Sequence, residues 1–514
     1  MKTTTESAAT GPIAERFPTL DHVWLAAALT IVIIRALVWP ITPSDYWWQL
    51  AYGRWIVDNG AIPLVDHFSF TRAGEPYYDQ PWLSQVLMYG IFRVGGAALS
   101  LVTFAATLAL TYTLLLRVCI LRGGSVRLSA GLLILSLAVG MTNWSLRSQV
   151  FAMPILVGYL LILETWRRTH GARGNGVRHD GQHRHVLWLL PLLMVVWVNM
   201  HGSFVLGGVL IALVFAGELL SSRSGWREAL ERVRPLLLWG GLTAVAILVN
   251  PRGPRVFEYV FGLMGNPAIQ RIVDEWLPTT TASIVGRLFF LYAMLVAGAA
   301  AMGRRRPNPV DLLVLAVFFW LALSGERHVM WFSLVSLPIL VEQLASAFNG
   351  NREHQDRQGN VLMNRTFLAA MLLGVLLLLP PFKTHLPLPP HLRPLISVNT
   401  PVASVEYLRD AGRSTERLFH TEMTGSFLMW AAPEQKVFVD ARVELYPADQ
   451  LQAYRMLNAG LAVDSLLAAY AIDGLLLDKE RQGRLLEWAR MSEDWDVRFE
   501  EECCTYLVKP ETAD

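Results

Sequence analysis

Long apolar runs separated by short polar or charged stretches dominate the chain. A helix needs about 20 apolar residues to cross the hydrocarbon of a bilayer. On that measure candidate spans fall at residues 22–40, 98–119, 128–142, 149–165, 186–199, 203–220, 235–250, 287–302, 309–324, 328–346 and 366–382, about eleven in all. The pattern changes at 41–96, where polar and aromatic residues mix. There Trp82, Val86, Tyr89 and Phe92 recur at helical spacing, which predicts an amphipathic helix lying in the membrane interface. Pro63 and Pro81 predict defined turns around it. "YWWQLAYGRWIV" reads as a helix preceded by two favourable cap residues, Ser44 and Asp45.

Beyond Phe382 the periodicity becomes that of a soluble domain. "FKTHLPLPPHLRPL" (382–395) is Pro-rich and semi-rigid, which places a spacer at 383–397. After it, "PVASVEYLRDAG", "DQLQAYRMLNAG" and "RQGRLLEWARM" read as helices, "KVFVDAR" and "IDGLLLD" as buried strands, and "WDVRFEEECCTYLVK" as a final hairpin. The expected architecture is an all-α polytopic membrane bundle over 1–382, with 41–96 as its first external loop, and a small α/β domain over 398–514.

Composition sharpens the membrane reading. Of 514 residues 53% are hydrophobic and 17% charged, against about 25% charged in soluble domains. Eighteen tryptophans suit the aromatic belts at a membrane's two faces. A net charge of +2 shows no bias toward nucleic acid. Residues 1–20 are polar and precede a full-length apolar run with no small-residue cleavage site, so the first span is expected to be retained rather than cut as a secretory signal. Cys119 falls in an apolar run, and the adjacent Cys503 and Cys504 are expected to be free thiols.

Charge then sets sidedness. Lys- and Arg-rich short loops stay cytoplasmic, and the basic stretches at 117–127, 167–185, 221–234, 303–309 and 349–360 all fall on one side. That puts the N-terminus in the cytoplasm and the C-terminal domain outside the cell (inner) membrane. The His-containing part of 170–185 matches no metal-ligand spacing and reads as a solvated linker. The triplets at Asn143 and Asn364 are weak glycosylation signals.

On the outer side a different chemistry accumulates. "SDYWWQL", "PLVDHFSFT", "EPYYDQPWLSQVL", "TNWSLRSQ", "VNMHGSF", "NPRGP", "RIVDEW" and "GERHVMW" each place ionisable or amide groups at the end of an apolar run. Ionisable groups beside hydrocarbon are costly and usually have a partner or a task, so a site is expected at the outer membrane–water boundary.

Some of these residues carry a resemblance. "DYWWQLAYGRWIVDNGAIPLVDHFSFT" is similar to the D-x-W-x-x-L-x-x-G-R-x-I opening of GT-C-type membrane glycosyltransferases, and "NMHGSF" and "RHVMWFSLVSLPIL" resemble other recurring elements of that group. These enzymes take sugars from polyprenyl phosphates and include protein mannosyltransferases and lipid A aminoarabinose transferases. Well-studied members often have an Asp-Glu pair in the first loop, whereas here Asp45 is followed by Tyr46.

The resemblance implies a lipid-phosphate-linked sugar donor, a glycan, lipid or protein acceptor, and catalysis among membrane lipids. Asp45 matches the family's catalytic position, as the base that activates an acceptor hydroxyl in an inverting transfer. Capping is its structural alternative. Arg147, Arg252, Arg327 and His328 are the expected phosphate binders, since a guanidinium matches phosphate oxygens and stays charged. Glu326 could pair with Arg327 instead. Asp66, His67, Asp79, Gln80, His201, Asp274 and Glu275 are candidate acceptor or sugar contacts. Asp66, Asp79 and His201 have turn or cap roles as alternatives. No cofactor is required; a divalent cation at Asp274–Glu275 is conceivable but unsupported. Asp440 and Arg442 either reach the site or form a structural ion pair. A transporter or flippase would instead place ionisable groups in mid-span and repeat its halves, and a non-catalytic scaffold would merely present the C-terminal domain.

Overall fold

The computed structural model describes residues 17–170, 186–222, 225–266, 274–348, 359–410 and 417–510. The His-containing stretch beyond His170 lies outside them. Among the described residues of the first half the α-helices are α1 Leu20–Val38, α2 Asp45–Asn59, α3 Trp82–Leu121, α4 Val126–Gly140, α5 Ser148–His170, α6 Leu189–Met200, α7 Val205–Leu220, α8 Trp226–Ala246 and α9 Arg255–Gly265. Four more follow at Ile284–Met302, Pro309–Ser324, Val329–Phe348 and Val361–Leu377. Every expected span lies on a helix. Among the described residues six helices are long and apolar enough to cross a membrane, and four shorter ones are apolar. Arg227, Glu228, Glu231, Arg232 and Arg234 make the first turns of α8 polar, so only its second half is apolar.

The amphipathic segment of the first loop is the opening of α3. It is separated from the apolar part by Gly95 and Gly96, which leave helical backbone with Gly96 at φ 57°, a conformation glycine adopts without strain. Its aromatic face is covered by protein: Phe92 and Tyr89 pack on Trp430 of the C-terminal domain at 5.0 and 6.2 Å.

The C-terminal domain carries a four-stranded sheet in the order β1-β2-β4-β3, with β1 Leu418–His420, β2 Gly474–Asp478, β3 Asp496–Glu500 and β4 Cys504–Val508. β1 and β2 are parallel; β4 runs antiparallel to both its neighbours. "IDGLLLD" and the final hairpin are strands as expected. "KVFVDAR" is not: Val437 makes single bridges, one to Leu418 and one to Ser69 of the first loop. The first loop therefore extends this edge, through Val437 N–H to the Phe68 carbonyl (3.0 Å) and Phe70 N–H to the Val437 carbonyl (3.1 Å). The proline-rich spacer is also tied down, because Ile396 bridges Ile41 in parallel. Cys119, Cys503 and Cys504 are free and buried.

Two ionic clusters mark the two ends of α5. Near its C-terminal end, buried Arg122 pairs with Asp311 (2.7 Å), Glu342 (2.6 Å) and Glu164 (3.5 Å), and Arg167 pairs with Glu218 (2.8 Å) and Glu164 (3.3 Å). The basic stretches on that side were expected only to set the sidedness. No local pattern in the sequence shows this network, because its members come from helices far apart in the chain.

Candidate functional site

α2 begins at Asp45, with Ser44 as its N-cap. The Ser44 hydroxyl donates to the Thr42 carbonyl at 3.3 Å rather than capping the helix. Asp45 is therefore in the first turn, where a carboxylate is favoured by the helix dipole, and its side chain reaches outside the helix ladder. Oδ1 accepts from Trp48 Nε1 at 3.2 Å, and Oδ2 accepts from Arg147 Nη1 at 3.2 Å. The helix is fixed by its buried face. Tyr46, Trp47, Leu50, Ala51 and Tyr52 are almost fully buried, Trp47 packs edge-on to Phe427 at 5.0 Å, and Gly60 ends the helix at φ 62°.

Four residues on from Asp45, on the same face, Gln49 locks the partner helix. Its amide accepts from Ser148 N–H at 2.9 Å and donates to the Ser148 hydroxyl at 3.2 Å. Ser148 opens α5, so the residue before it, Arg147, is held beside Asp45. Arg147 also donates to Glu275 Oε2 at 3.0 Å. The two carboxylates outweigh burial and raise the Arg147 pKa. Burial alone would raise Glu275, but Arg147 outweighs it and holds Glu275 below the usual carboxylate range.

Arg327 completes this centre. It sits over the Trp276 ring at 4.1 Å and within electrostatic range of Arg147, Glu275, Asp45 and Tyr259. Among the described residues no carboxylate lies within ion-pair distance of it. Glu326 is bound elsewhere, accepting from the Ser283 hydroxyl. The neighbouring His328 has a buried Nδ1 with no partner among the described residues. His201 is near both arginines, and burial, then Arg327 and Arg147, push its pKa down to about 3. Its Nδ1 accepts from Ser203 N–H at 3.1 Å, so a neutral His201 carries its proton on Nε2.

The other expected residues divide. Asp66 is fully buried: Arg442 Nη2 stands 2.7 Å from Oδ1, and Ser69 N–H (2.9 Å) and hydroxyl (2.6 Å) donate to Oδ2. That burial keeps it from touching an acceptor in this conformation. His67 stacks on Trp55 at 4.6 Å, and its carbonyl accepts from Lys436; it serves the contact with the C-terminal domain. Asp79 is buried, with Oδ1 accepting from Gln85 at 2.6 Å and Oδ2 without a partner among the described residues. Burial raises its pKa to about 7. Gln80 donates to the Val198 carbonyl at 2.6 Å. Arg252 is not among the neighbours of Arg327; it donates to the Tyr77 carbonyl at 3.0 Å and lies over Tyr78 at 4.8 Å. The side chain of Asp274 lies outside the described residues. Among those residues no three His, Cys, Asp or Glu side chains gather as a metal site would need.

Asp440 and Arg442 pair directly at 2.6 Å. Arg442 stands at the centre of a buried cluster with Asp66, Asp440 and the Tyr52 hydroxyl, while Tyr446 donates to Asp440 at 2.6 Å. From the same segment Glu444 accepts from Tyr259 at 3.3 Å, and Tyr259 stacks on Tyr78 at 4.8 Å. Tyr259, Trp276, Gln49 and Glu444 were not anticipated. For Glu444, its place two residues beyond Arg442 in "FVDARVELYP" was the available hint.

Solved structures of GT-C glycosyltransferases have a similar fold. The archaeal oligosaccharyltransferase AglB from Archaeoglobus fulgidus, solved with an inhibitory peptide and a dolichol-phosphate, superposes with a TM-score of 0.54 at 10% identity over 89% of this chain and 69% of its own. ArnT from Cupriavidus metallidurans, bound to undecaprenyl phosphate, gives a TM-score of 0.50 at 14% identity over 96% of this chain and 98% of its own. The mycobacterial arabinofuranosyltransferase AftD gives 0.50 at 14% identity, covering 94% of this chain and 41% of that one. No protein-family model and no curated protein sequence matches the chain.

Proposed function

We propose that the protein is an inverting membrane glycosyltransferase, moving a sugar from a polyprenyl phosphate to an acceptor hydroxyl at the outer face of the cytoplasmic membrane. The observation that carries this reading is the Asp45–Arg147 pair at one end of an apolar bundle, beside an arginine with no carboxylate partner among the described residues. The placement of the basic loops supports the sidedness.

In this reaction the acceptor oxygen attacks the anomeric carbon from the face opposite the phosphate. The O–C bond forms as the C–O(phosphate) bond breaks, and Asp45 takes the hydroxyl proton. Arg147 and Trp48 hold that carboxylate in one orientation, leaving further lone pairs for the acceptor. Negative charge grows on the departing lipid phosphate, where Arg327 supplies a fixed positive charge and His201 Nε2–H a neutral donor. A neutral histidine adds a hydrogen bond without competing for the counter-charge. Glu275 keeps Arg147 oriented.

The test uses the full-length protein in lipid nanodiscs with a panel of radiolabelled polyprenyl-phosphate sugars and cell-envelope acceptors. Wild type should transfer from at least one donor, and Asp45→Asn should lose about 10²–10⁴-fold in kcat. Transfer that survives the substitution removes Asp45 as the base. Absence of transfer from every donor favours a transporter or a scaffold.

A further inference from the structure

The end of the bundle opposite Asp45 is built differently from the Asp45 end. About 25 Å along α5 from Ser148, at ~1.5 Å per residue, Glu164 and Arg167 enter a buried ionic network. Glu164 pairs with both Arg167 (3.3 Å) and Arg122 (3.5 Å), and Arg122 directly follows α3. Arg122 also holds Asp311 (2.7 Å) and Glu342 (2.6 Å), while Arg167 holds Glu218 (2.8 Å). The Asn308 amide ties the two arginines' shells together, accepting from Arg167 at 3.0 Å and donating to Asp311 at 2.7 Å. The ends of α3, α5, α7, Pro309–Ser324 and Val329–Phe348 are thereby joined.

The join is dry. Arg122, Glu164, Arg167, Glu218 and Asp311 are at most 6% exposed, and Glu342 is 16% exposed. At the other end Asp45 is 26% exposed and Glu275 42%. The backbones close in as well. A Cβ on Gly217 would stand 2.5 Å from Val310 Cα, and one on Gly124 would stand 2.3 Å from Val341 Cγ1. Along the helix between the two ends, every residue from Val329 to Val341 is buried. A protein that shows its site to the two membrane faces in turn must part its helices at each end. Parting them here would strand buried charges of both signs, which is strongly unfavourable in a bundle core.

We propose that this network is a permanent seal: the bundle opens toward Asp45 alone, and its lipid-linked substrate enters from that leaflet only. A donor in the opposite leaflet must first be carried across by a separate translocation reaction. The polyprenyl phosphate left by transfer stays on the Asp45 side until another such reaction returns it. The seal stands without the transferase reading; the statements on donor and product rest on it.

Cys119 reports on the seal, because it lies one turn before Arg122 on α3 and is 0% exposed. The full-length protein in nanodiscs is treated with a maleimide, with and without polyprenyl-phosphate sugars, and modification of Cys119 is read by peptide mass spectrometry. Wild type should stay unmodified under native conditions, whether or not the lipid is present. Arg122→Gln, or the milder Glu342→Gln, should raise the rate by about 10-fold or more, because local opening becomes easier; a thermal melt shows that each variant is folded. Sealed liposomes with a fluorescent polyprenyl phosphate in both leaflets give a second readout, through quenching by added dithionite. Quenching should stop at the outer-leaflet share, as in protein-free vesicles. Transfer to a water-soluble acceptor added outside should likewise leave the inner-leaflet donor unspent.

Labelling of wild-type Cys119 that the lipid accelerates, quenching beyond the outer-leaflet share, or unchanged labelling in both folded variants overturns the seal. Consumption of inner-leaflet donor overturns the statement on supply. No transfer from any donor, with Cys119 silent and no excess quenching, keeps the seal and removes the transferase.

Discussion

Arg442 of the C-terminal domain places Nη2 2.7 Å from Asp66 Oδ1 of the first loop, with both side chains at 0% exposure. Because α2 and the first loop carry the residues around Asp45, this pair makes the C-terminal domain part of the site's frame. Its neighbours Asp440 and Tyr52 complete the hydrogen bonding of the guanidinium.

Removing one member of a buried pair strands the other, at about 3–5 kcal/mol. Asp66→Asn and Arg442→Met should each lower the melting temperature of the nanodisc-embedded protein and speed proteolysis within the spacer at 383–397. An unchanged melt in both variants would show that the pair does not hold the domain.

Gln49 and Arg327 should separate position from charge. Gln49→Ala leaves Asp45 intact but frees the start of α5, so kcat should fall with little change in donor KM. Arg327→Ala removes a charge aimed at the donor and should raise donor KM by about 10–100-fold. Steady-state kinetics with the productive donor distinguishes the two patterns.

Acid should weaken the C-terminal domain through His420. Its Nε2 accepts from Phe438 N–H at 3.1 Å, its Nδ1 donates to the Thr421 carbonyl at 2.9 Å, and burial lowers its pKa from 6.5 to about 4. Below pH 6.5 the unfolded chain takes up a proton that the folded one refuses. The stability present above pH 6.5 is therefore lost as pH falls toward 4, by up to ~3 kcal/mol. Melts between pH 4.5 and 7.5 should show this slope, and His420→Asn should flatten it while lowering stability at neutral pH.

Gly53 sets how closely α2 approaches α3. A Cβ built there would stand 2.2 Å from the Gln85 carbonyl oxygen and 2.8 Å from Tyr89 Cβ. Gly53→Ala should cost about 1–3 kcal/mol, as overpacking does, read in the same melt. Stability equal to wild type would mean that the helices can part freely.

The chain's own pattern determined the helical segments, the polar first loop, the change of pattern beyond Phe382 and the gathering of ionisable groups beyond one set of helix ends. These follow from local composition: an apolar run of given length, a proline, a basic loop each act where they stand. It also pointed to Asp45, because a carboxylate just after an apolar run has few neutral explanations. What only the tertiary structure decided is which charges meet. Arg147 neutralises Asp45 and Glu275, whereas Arg327, equally plausible in sequence, meets no carboxylate among the described residues. Asp66 is sealed under Arg442, and Arg252 turns to the Tyr77 carbonyl. Such partners come from helix ends and loops far apart in the chain. Their pairing depends on how α2, α3 and α5 pack around Gly53 and Gln49, which no spacing along the sequence records.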